Sequence, residues 1–345
     1  MTSRSQRPRA VLYAALLASA LCAGCGESID DGSIFPVLTG PDLGQGDPPV
    51  EPALFAPGVV NSGLATRDVA MTPDGREFHF GVNVGNYALS TVLVSRLVDG
   101  RWTEPVVAGY ADDPRYTIFE PHISPDGRRL FFATDRPHAG DGPAREDHDI
   151  WVAERTDDGW GTPRPLSAGV NSDQPDFFPS VTNDGTLYFT RDDPGRSPSV
   201  IMRARLRADG TYGEAETLPA AVNIGRTRFN AFVAPDESYL IIPAYGMADS
   251  RGATDYYIVF RSPDDAWSEA VNLGDAVNTA GGREFSPYVS PDGRAFFFMS
   301  SRQDLAARAP TPLTVASLRE LHAAPGNGQS NIWWMDAAFL EDLRP

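Results

Sequence analysis

Four acidic residues stand at comparable points of a long repeat: Asp68, Glu120, Asp176 and Glu284. Arg67, His122, Arg228 and Asn230 lie close to them in the same registers. Carboxyl groups brought to one place from separate segments are what cleavage of a glycosidic bond needs, one as acid and the other as base or nucleophile. On that chemistry Glu120, Asp176 and Glu284 are catalytic candidates. Asp68, Glu120, His122, Arg228, Asn230 and Glu284 are binding candidates. A plainer reading stands beside it: an acid ahead of "F-x-P" belongs to the repeat itself, and its task is then to accept bonds from backbone amides.

A second constellation lies in "TDRPHAGDGPAREDHDIW", with His138, Asp141, Asp147, His148 and Asp149, and with His122 shortly before it. Imidazole and carboxylate together suit a divalent metal, which makes His122, His138 and His148 the metal candidates. His138 and His148 are ten residues apart on an irregular stretch, however, without the short helical spacing that fixes ligand geometry. Solvated loop and turn roles account for them more simply, and no motif requires a cofactor. Trp102, Trp160, Tyr212 and Trp267 recur at one position of the repeat, which favours packing between outer strands over a sugar-stacking stripe.

The elements that position these residues come from the repeat. Its copies are "VAMTPDGREFHF" from Val69, "PHISPDGRRLFF" from Pro121, "PSVTNDGTLYFT" from Pro179, "AFVAPDESYLII" from Ala231 and "PYVSPDGRAFFF" from Pro287. The turn aspartates Asp74, Asp126, Asp184, Asp236 and Asp292 are 52, 58, 52 and 56 residues apart. Proline, aspartate and glycine supply the turn, and the flanking β-branched and aromatic residues supply two strands. A third strand follows, as in "DIWVAER" at Asp149 and "NIWWMDA" at Asn331, then an aromatic and a "VN" pair before the next copy. Asn171 and Asn223 each precede their turn aspartate by 13 residues and Asn278 does so by 14.

Asn61 precedes Asp74 by the same 13 residues, although no blade comes before it. The N-terminal segment therefore reads as an outer strand, and the last blade has only three of its own. The prediction is an all-β, five-bladed β-propeller of four-stranded blades closed by an N-terminal strand. Closure removes the exposed strand edges. "SPDGRRLFF" and "EFSPYVSPDGRAFFF", with "DIWVAER" and "VN", resemble the WD40-like PD40 repeats of TolB-type propellers. That resemblance covers roughly residues 53–345 and implies the fold while saying little of function. In such a ring a functional site belongs near the starts of the inner strands, opposite the Pro-Asp-Gly turns.

The last blade carries an insertion of about 30 residues over 301–331. One short helix is expected from Thr314 to Ala323, with a capping box from Ser317 to Glu320 and Gly326 as its stop. Its place makes it a lid, a plug or a buttress for the rim.

Upstream, Arg4, Arg7 and Arg9 precede the apolar run Ala10 to Cys22 and the sequence "LCAGC". Thirteen apolar or small residues suit a signal peptide over 1–24 rather than a membrane span. "LCAGC" resembles a bacterial lipobox, which implies lipidation of Cys25; residues 25–52, rich in Gly, Pro and Asp, then read as the lipidated terminus and a flexible tether. The net charge is −17, all 29 basic residues are arginine, and the acidic balance disfavours nucleic acid. A complete fold signature beside an absent catalytic one points to a non-catalytic propeller of an exported lipoprotein. It would face the periplasm or cell surface, with an envelope protein or glycan as partner and the membrane reached through the lipid at Cys25. The alternatives are a carbohydrate-active hydrolase or lyase using the acidic residues, and a structural scaffold in an envelope complex.

Overall fold

β-Branched and aromatic residues on either side of each Asp-centred turn pair as antiparallel strands, buried along most of their length, and five such sheets stand around one axis. This is seen in a computed structural model that describes residues 35–193, 197–303 and 305–345. The signal-peptide and lipidation expectations, Cys25 included, lie outside the described residues. Among the described residues no helix is long and apolar enough to cross a membrane.

The inner strands are Ala65–Met71, Ile118–Ile123, Asp176–Val181, the split pair Thr227–Arg228 and Phe232–Val233, and Glu284–Val289. Each packs beside the next, and the fifth packs back against the first. The turns behave as their residues dictate. Gly75, Gly127, Gly185 and Gly293 take positive φ, and each turn aspartate accepts the amide two residues on. In the fourth blade Glu237 stands in for glycine at φ 59°. Its carboxylate is put to use there, accepting from Tyr188 Oη and pairing with Arg261.

Ring closure follows the asparagine spacing. Ala53–Leu54 pairs antiparallel with Asn331–Asp336, so Ala53 faces Trp334 and Leu54 faces Trp333. Asn61 Oδ1 accepts from Ile332 N at 3.1 Å, while its Nδ2 donates to Ile332 O at 2.8 Å and Phe55 O at 2.6 Å. Asn171, Asn223 and Asn278 grip Ile150, Ile201 and Tyr256 through the same paired bonds. The clasp that holds an outer strand within a blade is thus reused to join the two ends of the chain. Phe55 fills the seam, 5.0 Å from the Phe78 ring, 4.9 Å from Phe297 and 5.2 Å from Trp334.

Two expectations need correction. Residues 37–52 are not a tether: Val37 to Pro345 is one unit by its contacts. Leu43 is fully buried, Trp102 Nε1 donates to Gly40 O, and Asp336 N donates to Pro49 O. Leu43, with Leu38 partly buried beside the same core, docks the segment, and the Gly/Pro-rich composition hid it. The insertion helix, Val315–Ala323, is capped by Thr314 with Ser317, one turn ahead of the expected Ser317–Glu320 box. Thr314 is still extended at φ −128°, so the helix starts there. Short helical turns at Leu305–Arg308 and Phe339–Asp342 add to it.

Replacing Asn61 by alanine takes their partner from the Ile332 amide and the Phe55 carbonyl in a buried seam, while the Ile332 carbonyl keeps its bond from Phe55 N. That substitution is expected to cost roughly 2–4 kcal/mol in guanidinium-induced unfolding. A midpoint unchanged from the parent protein would show that the terminal clasp does not hold the ring.

Candidate functional site

Each inner strand contains one residue in the left-handed region, six positions before its turn aspartate: Asp68 (φ 52°), Glu120 (58°), Phe178 (51°), Asn230 (51°) and Ser286 (61°). None is glycine, so each stores backbone strain that its surroundings must offset. The strand bulges there, shifting the register against its neighbour, and in the fourth blade it breaks in two. What offsets the strain is a belt of hydrogen bonds from blade to blade. Asp68 Oδ2 accepts from Glu120 N at 3.1 Å, and Glu120 Oε2 accepts from Phe178 N at 2.8 Å. Thr190 Oγ1 accepts from Asn230 N, and Ser286 Oγ donates to Asp68 Oδ1.

Arg67 lies in the middle of this belt, almost wholly buried. Its Nε donates to Asp68 Oδ1 at 2.9 Å and its Nη2 to Glu120 Oε1 at 2.6 Å. Asn230 Nδ2 also donates to Glu120 Oε1. Every oxygen of both carboxylates therefore already accepts a protein donor. Burial works against the charge on Arg67, and Asp68 and Glu120 more than offset it. Burial, with Asp68 beside it, raises the Glu120 carboxyl above its ordinary value against the pull of Arg67. Ionised, the trio carries two negative charges to one positive.

Above the belt opens a cavity of about 690 Å³, at the end where the inner strands begin. The residue before each bulge lines it: Arg67, Phe119, Phe177, Phe229 and Phe285. Glu120 and Asn230 form its floor, and Tyr87, Asp135, Arg145, Glu146, His148 and Asp192 contribute to its wall. The guanidinium of Arg67 lies 5.4–5.8 Å from the ring centroids of Tyr87, Phe119 and Phe285. The four phenylalanines escaped the sequence reading, although one position seven before each turn aspartate reads Arg, Phe, Phe, Phe, Phe.

Of the residues singled out from sequence, Asp68, Glu120 and Asn230 meet at this floor, together with Arg67. Asp176 and Glu284 do not. They sit two residues earlier and turn toward the connections between blades. Asp176 accepts from Arg191 Nε at 2.7 Å and from Ser172 N, and burial raises it to about 6. Glu284 Oε1 accepts from Thr279 Oγ1 and Ser300 Oγ, its Oε2 is buried without a partner, and burial raises it to about 7. The loop closes so tightly over it that a Cβ on Gly282 would lie 2.3 Å from Glu284 Oε1. Arg228 is spent on the carbonyls of Ile224, Ser199 and Gly225.

His122 lies past the bulge, toward the opposite end. Its Nε2 accepts from Val181 N at 3.0 Å, and burial lowers its pKa to about 4, which keeps the ring neutral. It lines a smaller cavity of about 290 Å³ beside Pro73, Pro125, Pro235 and Pro291 of the turn face. This is a second inter-blade belt, in which Ser180 Oγ accepts from Val233 N and Tyr288 Oη from Met71 N. His138 Nε2 lies 2.6 Å from Asp149 Oδ2, whereas His148 Nε2 lies 2.9 Å from Thr117 Oγ1. The three histidines thus serve three separate places. Among the described residues no group of three or more His, Cys, Asp or Glu side chains is arranged to hold a metal.

Among the described residues none of the insertion over 301–331 lines the funnel. It lies at the rim, where Ala323 O would come within 1.9 Å of a Cβ on Gly63 and Gly326 N donates to Asn331 Oδ1. The outer aromatics pack as expected: Trp102 and Tyr212 are buried, and Trp160 Nε1 donates to Glu77 Oε2.

Solved structures share this fold. The α-L-arabinofuranosidase from Lactobacillus brevis is 13% identical, with a TM-score of 0.50, over 79% of this chain and 90% of that one. TolB from Acinetobacter baumannii is also 13% identical, with a TM-score of 0.42, over 79% of this chain. This chain spans about half of TolB, 54% of its length. An endo-arabinanase from Bacillus licheniformis is 14% identical, with a TM-score of 0.46, over 80% of this chain and 94% of that one. At these identities the likeness is one of fold. No family model and no curated protein matches the chain.

Glu284 gives this region a pH signature. Its folded pKa of about 7 lies above the ordinary 4.5, so between these values the unfolded chain loses a proton that the native state keeps. Its contribution therefore falls as pH rises through that window, by roughly 1–3 kcal/mol. Glu284→Gln should remove that part of the slope, so that the difference in unfolding free energy between variant and parent grows from pH 4.5 to 7. A difference independent of pH would mean that Glu284 is ionised in the native state.

Proposed function

We propose that this propeller is a non-catalytic binding module of an exported lipoprotein, taking a ligand or a projecting part of an envelope partner into the funnel where its inner strands begin. One observation carries the reading: the acidic residues suited to hydrolysis are already committed. A glycosidase needs two carboxyl groups free to face the sugar. Here the oxygens of Asp68 and Glu120 all accept bonds from the blade-to-blade belt, and Asp176 and Glu284 do not line the cavity. The cavity itself has the size of a small-ligand site, with five aromatic side chains set among polar ones.

A carbohydrate-active hydrolase or lyase is the second reading, favoured by Glu120, which lines the cavity with a carboxyl raised by burial, as a general acid is. Incubating the purified chain with arabinans, other polysaccharides and peptides separates the two. No product is expected from any of them. Product release that Glu120→Gln abolishes would replace the binding reading with the hydrolase. A stoichiometric envelope partner recovered with a chain that binds no small molecule would favour the scaffold instead.

The place of action rests on "LCAGC" and the preceding apolar run. Cys25→Ser should move the protein from the membrane fraction to the soluble fraction of the bacterium and abolish labelling by a fatty-acid analogue. Retention in the membrane without label would place the anchor elsewhere.

A further inference from the structure

We infer that the funnel selects an organic cation, of the quaternary or alkyl-substituted ammonium class, held against the faces of Phe177 and Phe229. This deepens the binding-module reading and rests on it. Aromatic faces are negative and attract cations within about 6 Å of the ring centroid. The same cavity already demonstrates the preference, since three of its rings surround the guanidinium of Arg67 at 5.4–5.8 Å. Phe177 and Phe229 line the cavity half-buried, and no arginine of the described residues lies over either ring.

The charge around the cavity points the same way. The floor trio of Arg67, Asp68 and Glu120 sets one guanidinium against two carboxyl groups, so the floor offers no unpaired positive charge. On the wall, Asp135 and Glu146 line the cavity, while Arg145 is engaged by Asp147 and Asp149. His148 is kept neutral by burial, which lowers its pKa against four nearby aspartates. A net charge of −17 over the chain adds a field that draws cations toward such a cleft. A carboxylate or phosphate ligand would meet Asp135 and Glu146 and find Arg67 and Arg145 already paired. A neutral sugar would find the floor's donors already bonded within the belt, leaving little to orient its hydroxyls.

Isothermal titration of the full chain in detergent tests this with three isosteric probes: choline, neutral 3,3-dimethyl-1-butanol and anionic 3,3-dimethylbutanoate. Choline is expected to bind at least about tenfold more tightly than either of the others. Phe177→Leu and Phe229→Leu keep an apolar side chain and remove the π face. Each should weaken choline about fivefold or more and leave the neutral probe unchanged. Circular dichroism establishes that each variant is folded; should one fail to fold, the order of the three probes on the parent protein decides. A neutral or anionic probe binding as well as choline, or choline binding untouched by both substitutions, overturns the cation inference and leaves a binding module standing. Binding of none of the three overturns the inference as well, and the binding reading then stands or falls on the hydrolysis and partner assays.

Discussion

One strained residue per inner strand organises the middle of this molecule. A regular strand would offer its inward amides only to its own sheet. The left-handed residue turns an amide, a side chain or both sideways, toward a neighbouring blade. At this register Glu120, Phe178 and Asn230 supply amides and Asp68, Glu120, Asn230 and Ser286 supply side chains, and with Thr190 their bonds tie separate sheets into one ring. The strain is tolerable because every carboxylate oxygen in the belt is bonded; an unpaired one would cost more than the bulge itself. The same twist sets the preceding side chains at the mouth, which is why the funnel has an aromatic wall directly above a charged floor.

The rim depends on arginine in another way. Arg136, Arg191 and Arg302 leave their second strands and donate to the carbonyls of Tyr110, Val170 and Val277, each at the turn that ends the preceding outer strand. Arg191 reaches Asp176 as well, and Arg302 lies over the Phe298 and Trp333 rings. A planar fork can satisfy a carbonyl and a carboxylate or an aromatic face together, where a lysine ammonium offers a single point charge. A chain with 29 arginines and no lysine uses that difference at the joints between blades.

Stability and site chemistry draw on the same residues. Asp68 and Glu120 look catalytic when only their types and positions are considered. Within the ring they are structural acceptors first, and what they contribute to the funnel is a floor in which the Arg67 charge is already paired. Asp176, Glu284 and His122 went the same way. Each belongs to the repeat, and each holds a connection or a neighbouring strand.

The sequence alone determined the number of blades, the turn chemistry and the closure. These depend on local signals, the Pro-Asp-Gly turns and the spacing of Asn61 to Asp74, which act within a few residues and repeat along the chain. Leu43 shows the limit of composition, since it and Leu38, with bonds to Gly40 and Pro49, dock a Gly/Pro-rich stretch. Tertiary structure decided which acids meet. Asp68 and Glu120 stand six residues before their turns, whereas Asp176 and Glu284 stand eight before theirs. In an extended strand those two residues amount to about 7 Å along the axis, and the bulge between the positions changes which way each side chain faces. The offset was visible in the sequence. Its consequence was not, because no local rule says that five non-glycine residues will adopt positive φ together, and only the closed ring provides the partners that make them do so.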